Sequence, residues 1–302
     1  MAAEASKKVY FIRHAESRWN LALRSMDVVT LVMRCTDAPI TGGGYRQAHA
    51  LQVGLQAMLA PGESTAAVDE SDGTVLSLVE LGAADGVWCS PFTRCVQTAL
   101  VGLLPLFDEK PKRRLLLPPP LTLKPVLRER KKFGWDSIGS ARGDFCRARA
   151  CAQLAALRVE PKPSASQLKT MASMACDSSE AQRRWWSYAF ESRSATRRRA
   201  RQLLAAILAS DSTAVVVVSH SNFLRELFAV AVDNGGGTQE AELARVLRTR
   251  KLPNCAVLGC ELRVTSEATG EPRLSKLRCW LPPGTELPTV GRRRKTAKVA
   301  PV

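Results

Sequence analysis

Histidine is scarce in this chain, with three in 302 residues, and aromatic residues make up only 6%. No run approaches the roughly 20 apolar residues that a bilayer-spanning helix needs, so no membrane span is expected. The nine cysteines (Cys35, Cys89, Cys95, Cys146, Cys151, Cys176, Cys255, Cys260 and Cys279) include no Cys-x-x-Cys pair. Without a Cys/His cluster, a zinc site is not expected and no metal is assigned. Their odd number fits reduced, mostly buried thiols. Gly42-Gly43-Gly44 lacks the Gly-Lys-Ser/Thr ending of a phosphate-cradling P-loop. There is no internal repeat. The first strand-like run begins by about residue 8, leaving no room for a cleavable leader, and the expected compartment is the cytoplasm.

What is present is positive charge and enough apolar residue for a core. Lysine and arginine outnumber acids to a formal net charge of +16, and 45% of the residues are hydrophobic. That balance favours anionic partners, whether phosphorylated metabolites, nucleic acid or an acidic membrane face, without choosing between them. The Arg292–Lys295 cluster is basic, but no recognisable nucleic-acid module accompanies it.

Five segments read as strands: Lys8–Ile12, Gly86–Cys89, Leu121–Leu127, Ala214–Ser219 and Asn254–Arg263. Several are short apolar runs without alternation, as expected of strands buried on both faces of a mostly parallel sheet. Helical patterns run over Tyr45–Leu59, Arg94–Leu104, Gln182–Leu208 and Asn222–Val232, the third with a break near Ser192–Ser194. Alternating strands and helices predict an α/β fold, a three-layer α/β/α sandwich. One domain is expected over residues 1–281, with insertions near 61–85, 108–120 and 140–180 forming a helical or loop cap. Asn234-Gly235-Gly236-Gly237 reads as a helix stop. The basic tail, 282–302, is expected to be disordered.

Two of the three histidines close strand-like runs, in Val9-Tyr10-Phe11-Ile12-Arg13-His14 and Val215-Val216-Val217-Val218-Ser219-His220. Ligands of open α/β sheets bind beyond the carboxyl ends of the strands. Arg13-His14, Ser90-Pro91, Glu129 and Ser219-His220 all follow a strand candidate, so a parallel sheet gathers them at one rim. Imidazole suits nucleophilic or acid–base work near neutral pH, and the guanidinium fork matches phosphate oxygens.

These residues resemble the histidine phosphatase superfamily, the phosphoglycerate mutase-like proteins. Arg13-His14-Ala15-Glu16-Ser17-x-x-Asn20 is similar to the family signature. Asp37-Ala38-Pro39-Ile40-Thr41 with Gly44 and Gln47-Ala48, and Ser90-Pro91-Phe92-Thr93-Arg94-Cys95, resemble its second and third blocks. Leu127-Arg128-Glu129 and Val217-Val218-Ser219-His220-Ser221 resemble the fourth and fifth, and Leu252 to Val257 its last strand. The blocks run in family order from about residue 9 to 262.

The resemblance implies a metal-independent phosphatase that needs no cofactor and hydrolyses phosphomonoesters through a phosphohistidine. His14 would be the nucleophile, and Arg13, Arg94 and His220 would bind the phosphoryl oxygens, with Asn20 a further contact. Glu129 would protonate the leaving oxygen, with Asp136 a second candidate for that role. Ala15 stands where glycine is commoner. The Asn-Glu-Arg-His-Tyr-Gly block of cofactor-dependent mutases is replaced by Leu-Arg-Glu-Arg-Lys-Lys, which ranks phosphatase above mutase. A non-catalytic phospholigand-binding protein on the same fold is the alternative from another class. The implied partner is a phosphorylated small molecule or a phosphopeptide. Asp37 and Thr41 are expected to be structural, His49 to lie on a helix surface, and Trp185-Trp186 to pack in the core.

Overall fold

A computed structural model describes residues 6–27, 29, 36–59, 74–107, 118–132, 135–233, 237–264 and 270–289. Its elements are β1 (Lys7–Arg13), α1 (Arg18–Ser25), α2 (Gly42–Leu59), α3 (Leu78–Gly82), β2 (Gly86–Cys89), α4 (Thr93–Gly102), α5 (Leu104–Phe107) and β3 (Leu121–Leu123). After these come α6 (Phe145–Ala155), α7 (Ala165–Ser173), β4 (Cys176–Asp177), α8 (Arg193–Ala209), β5 (Ala214–Ser219) and α9 (Ser221–Ala231). The last are α10 (Thr238–Thr249), β6 (Val257–Val264) and β7 (Pro272–Trp280).

The strands form one seven-stranded sheet in the order β4-β3-β2-β5-β1-β6-β7. The pairs from β4 through β1 are parallel, whereas β6 pairs antiparallel with both β1 and β7. Side-chain alternation divides each central strand between two cores. Tyr10, Ile12, Val216 and Val218 join α2, α4 and α6 on one face, and Val9, Phe11, Val215 and Val217 join α8, α9 and α10 on the other. Both faces being covered explains why these strands read as unbroken apolar runs. The sandwich is three-layered, as expected.

β2 and β5 have the expected bounds, and other boundaries moved for local reasons. Leu121–Leu127 is not one strand. β3 stops at Leu123, and a 3-10 turn follows over Pro125–Leu127, because proline has no N–H to extend the ladder. The Arg94–Leu104 pattern splits at Leu103 into α4 and α5, with Pro105 in the second. α8 begins only at Arg193, where the Ser192 hydroxyl accepts from Ala195 N at 3.1 Å and caps the helix. β6 begins at Val257, after Cys255 takes a left-handed φ of 57°.

Residues 140–180 contribute α6, α7 and edge strand β4. α6 packs against α4 in the same core, placing the segment beside the sheet. The 61–73 part of the first expected insertion, the 108–117 part of the next, the glycine stop at 234–236 and the tail from 290 lie outside the described residues. So does Cys35, and the other eight cysteines are unpaired. No helix among the described residues is long and apolar enough to cross a membrane.

Candidate active site

Register brings the two strand-end histidines together. β1 pairs with β5 so that Arg13 lies opposite Ser219, and His14 N donates to Ser219 O at 2.9 Å. The next side chains on each strand, His14 and His220, meet edge-to-face with ring centroids 5.1 Å apart. Both are buried, His14 at 3% exposure and His220 at 0%.

The hydrogen bonds of His14 fix its reactive nitrogen. Nδ1 lies 2.7 Å from Ala15 O, and a carbonyl can only accept, so Nδ1 carries the proton and Nε2 keeps its lone pair. Burial first, then Arg94 and Arg13, hold its pKa well below the usual 6.5, so the ring is neutral at pH 7. His220 Nε2 lies 2.8 Å from Ser90 Oγ, and Cys95 Sγ is 3.3 Å from the same nitrogen. Burial, Arg94 and His14 depress its pKa likewise.

Arg94 occupies the first turn of α4, a helix buried along its whole length. Asp37 caps that helix, accepting from Thr93 N at 2.7 Å and Thr93 Oγ1 at 2.8 Å. The Arg94 guanidinium stacks 4.6 Å over the Phe92 ring, whose centroid lies 5.1 Å from His220 and 4.8 Å from Trp185. It is 1% exposed, yet Nη1 alone is used, donating to Asp136 Oδ1 at 3.0 Å and Asp136 O at 3.3 Å. Nε and Nη2 are buried without a partner. Arg13 donates from Nη1 to Leu252 O at 2.7 Å, and its buried Nε is also unpartnered. Unmet guanidinium donors in a dry site are costly unless an anion completes them.

Two carboxylates flank this cluster. Glu129 sits at the N-terminus of α9, where Oε1 accepts from Phe223 N at 3.1 Å and Arg130 N at 2.7 Å. Its Oε2 takes longer bonds from Asn222 Nδ2 and N, at 3.2 and 3.4 Å. Asp136 is the Arg94 counter-ion, and burial, opposed by Arg94, pushes its pKa up to about 6.

A cavity of about 260 Å³ is lined by His14, Asn20, Glu129, Lys132, Asp136 and Lys251, among others. Arg13, Arg94 and His220 are not in its wall, and Asp136 stands between the cavity and Arg94. A second cavity, about 380 Å³, shares Glu129 and Ser137 with the first and adds Arg128, Lys131, Ser187 and Phe190. No residue of 140–180 lines either one; 128–137 contributes to both walls and 187–195 to the second.

The six residues singled out from the sequence thus converge. Asn20 also serves locally, completing a capping box in which its Oδ1 accepts from Ser17 N at 3.3 Å. Thr41 is a helix-start residue, accepting from Gly44 N at 2.9 Å, and Trp185 packs as core. Sequence reasoning gave no role to Lys132, Lys251, Asn254 or Ser90. Asn254 Nδ2 donates to His14 O at 2.7 Å and so fixes the strand end. Ser90 lay within a matched block, and its place after β2 was the available signal.

No protein-family model matches this chain, and no curated protein sequence does. Several solved structures are similar. The alpha-ribazole phosphatase of Shigella flexneri is 17% identical, covering 90% of this chain and 96% of that one with a TM-score of 0.43. A mycobacterial glucosyl-3-phosphoglycerate phosphatase is 14% identical, covering 91% and 98% with a TM-score of 0.44. A phosphoglycerate mutase from Bacillus anthracis is 14% identical, covering 90% and 92%, also at 0.44. At such identities and scores, none of them assigns an activity to this chain.

Proposed function

We propose that this protein is a phosphatase of the histidine phosphatase type, cleaving phosphomonoesters through a phosphohistidine at His14. The observation that carries this is the buried Arg94 guanidinium. Two of its nitrogens lack partners, and it lies in the dry cluster where His14 keeps a lone pair on Nε2. A nucleophile beside unsatisfied cationic donors is the arrangement phosphoryl transfer needs, because that chemistry depends chiefly on positioning and charge neutralisation.

The phosphoryl group would displace Asp136 from Arg94, and its oxygens would take the open donors of Arg94 and Arg13, with the His220 ring exchanging its Ser90 contact for a third bond to them. His14 Nε2 then attacks phosphorus, forming the P–N bond as the ester P–O bond breaks. Glu129 acts as the general acid and gives a proton to the departing oxygen. That Glu129 lines both cavities supports this role. In the second half, water loses a proton to Glu129 and attacks phosphorus. The P–N bond breaks and inorganic phosphate departs, returning both side chains to their starting states.

Phosphate release from a panel of phosphomonoesters tests this reading, with the Glu129→Gln variant alongside. General acid catalysis matters least when the leaving group is already acidic. Glu129→Gln should therefore slow alkyl phosphates about a hundredfold or more, and p-nitrophenyl phosphate much less. Equal slowing of both would remove Glu129 from the acid role. No release by the parent from any ester would leave only a phospholigand-binding protein.

A further inference from the structure

Val126, Leu127 and Arg128 immediately precede Glu129, and all three of their carbonyls accept hydrogen bonds from side chains. Arg199 Nη1 donates to Val126 O and to Arg128 O, each at 2.7 Å. Ser219 Oγ, next to His220, donates to Leu127 O at 2.8 Å. β3 ends at Leu123, so this stretch is not part of the sheet, and its carbonyls must find donors elsewhere. Two of the three are met by one guanidinium on α8.

That guanidinium is fully engaged. Its Nε donates to Glu191 Oε1 at 3.0 Å and its Nη2 to Glu191 Oε2 at 2.6 Å, a bidentate pair mostly shielded from water. Arg94 and Arg13 keep nitrogens without partners, whereas every guanidinium nitrogen of Arg199 donates. Its plane lies 4.6 Å over the Phe223 ring, and Phe223 N donates to Glu129 Oε1 at 3.1 Å. Glu191 ties in the far side of the loop. Its N donates to Lys131 O at 3.0 Å, and its O accepts from Arg130 Nε at 3.2 Å. Arg199 and Glu191 therefore grip the chain before and after Glu129, and Arg199 also backs the residue whose N–H holds the carboxylate.

We propose that Arg199, oriented by Glu191, is a positioning residue that fixes the Glu129 carboxylate by clamping the 126–131 segment. The inference rests on the phosphatase reading for what that carboxylate does. Proton donation demands close placement of the acid, and a displacement of about 1 Å can cost about a hundredfold in rate. The planar fork carries the role. A lysine would keep the charge but has three donors on one point, too few to hold two carbonyls and both oxygens of Glu191.

The test compares kcat/KM of the full chain and its Arg199→Lys variant for an alkyl phosphate and for p-nitrophenyl phosphate, whose leaving group needs the acid least. Arg199→Lys should lower the alkyl-to-nitrophenyl ratio about tenfold or more. Arg199→Lys/Glu129→Gln should show the ratio of Glu129→Gln alone, because both changes act through one group. Equal loss on the two esters overturns the proposal, as does a ratio that falls further in the double variant. Circular dichroism confirms folding. If Arg199→Lys does not fold, Glu191→Gln weakens the same pair from its other side and should lower the ratio in the same direction; an unchanged ratio there overturns the proposal. Hydrogen exchange across 124–132, read by mass spectrometry, is independent of turnover. It should quicken in the variant while β1 and β5 keep their protection, and unchanged exchange overturns the proposal. If Glu129→Gln itself leaves the ratio intact, the proton-donor reading fails, and quickened exchange still supports the clamp.

Discussion

Arg94 Nη1 and Asp136 Oδ1 meet at 3.0 Å, with 1% and 14% of their side chains exposed, so an acid of the protein occupies the cation that phosphate would need. Breaking one half of a buried pair leaves an uncompensated charge and costs about 3–5 kcal/mol. Asp136→Asn should therefore lower the melting temperature in phosphate-free buffer. Added phosphate should restore more stability to the variant than to the parent, because Arg94 is open to it. Scanning calorimetry with and without phosphate reads both effects. An equal phosphate response in the two proteins would show that Arg94 is not the anion's partner.

Arg94→Lys keeps the charge but loses the planar fork, including the two nitrogens that now lack partners. The value of kcat/KM for p-nitrophenyl phosphate should fall about a hundred- to thousandfold. Steady-state kinetics on the folded variant checks this, and a change below threefold would contradict the phosphoryl-binding role.

Gly44 lies in the first turn of α2, against the chain that follows His14. A Cβ there would lie 2.1 Å from Glu16 O, whereas one on Gly43 would meet the Glu16 and Thr41 side chains at 3.3 and 3.5 Å. Gly44→Ala should cost about 1–3 kcal/mol of stability and lower kcat with it, because Glu16 is two residues from the nucleophile. Gly43→Ala should be milder on both counts. Denaturant unfolding together with turnover measures the pair, and equal losses would contradict the close-approach argument.

The buried histidines make stability depend on pH. Their folded pKa values are depressed, so below about pH 6.5 the unfolded chain binds protons that the folded chain refuses. Stability should be unaffected by them at pH 7.5, and each should remove about 1.4 kcal/mol per pH unit below pH 6.5 until its folded pKa is reached. His220→Gln should flatten the fall between pH 6.5 and pH 5. Urea unfolding of parent and variant at both ends of that range reads the slopes, and parallel slopes would refute neutral burial of His220.

The sequence revealed whatever was local. β1, β2 and β5 were readable because strands covered on both faces are continuous apolar runs, and the site residues because they follow strand ends. β7 was not readable. It is a sheet edge in which Leu274, Leu277 and Cys279 are buried while arginines and lysine alternate irregularly around a bulge, so no clean period survives. The break expected near Ser192–Ser194 is the start of α8, whereas Gln182 to Glu191 has helical spacing but precedes the Ser192 cap and forms no helix of its own. The Arg94–Asp136 pair joins residues 42 positions apart, and no spacing rule reaches across such a loop.

The central claim is that His14 Nε2 takes the phosphoryl group. Rapid acid-free quenching of the protein with a phosphorus-labelled phosphomonoester, followed by peptide mass mapping, tests it directly. Base-stable, acid-labile label on the peptide bearing His14, absent from His14→Ala, is the predicted result. Robust turnover by His14→Ala, or label on any other residue, would contradict it.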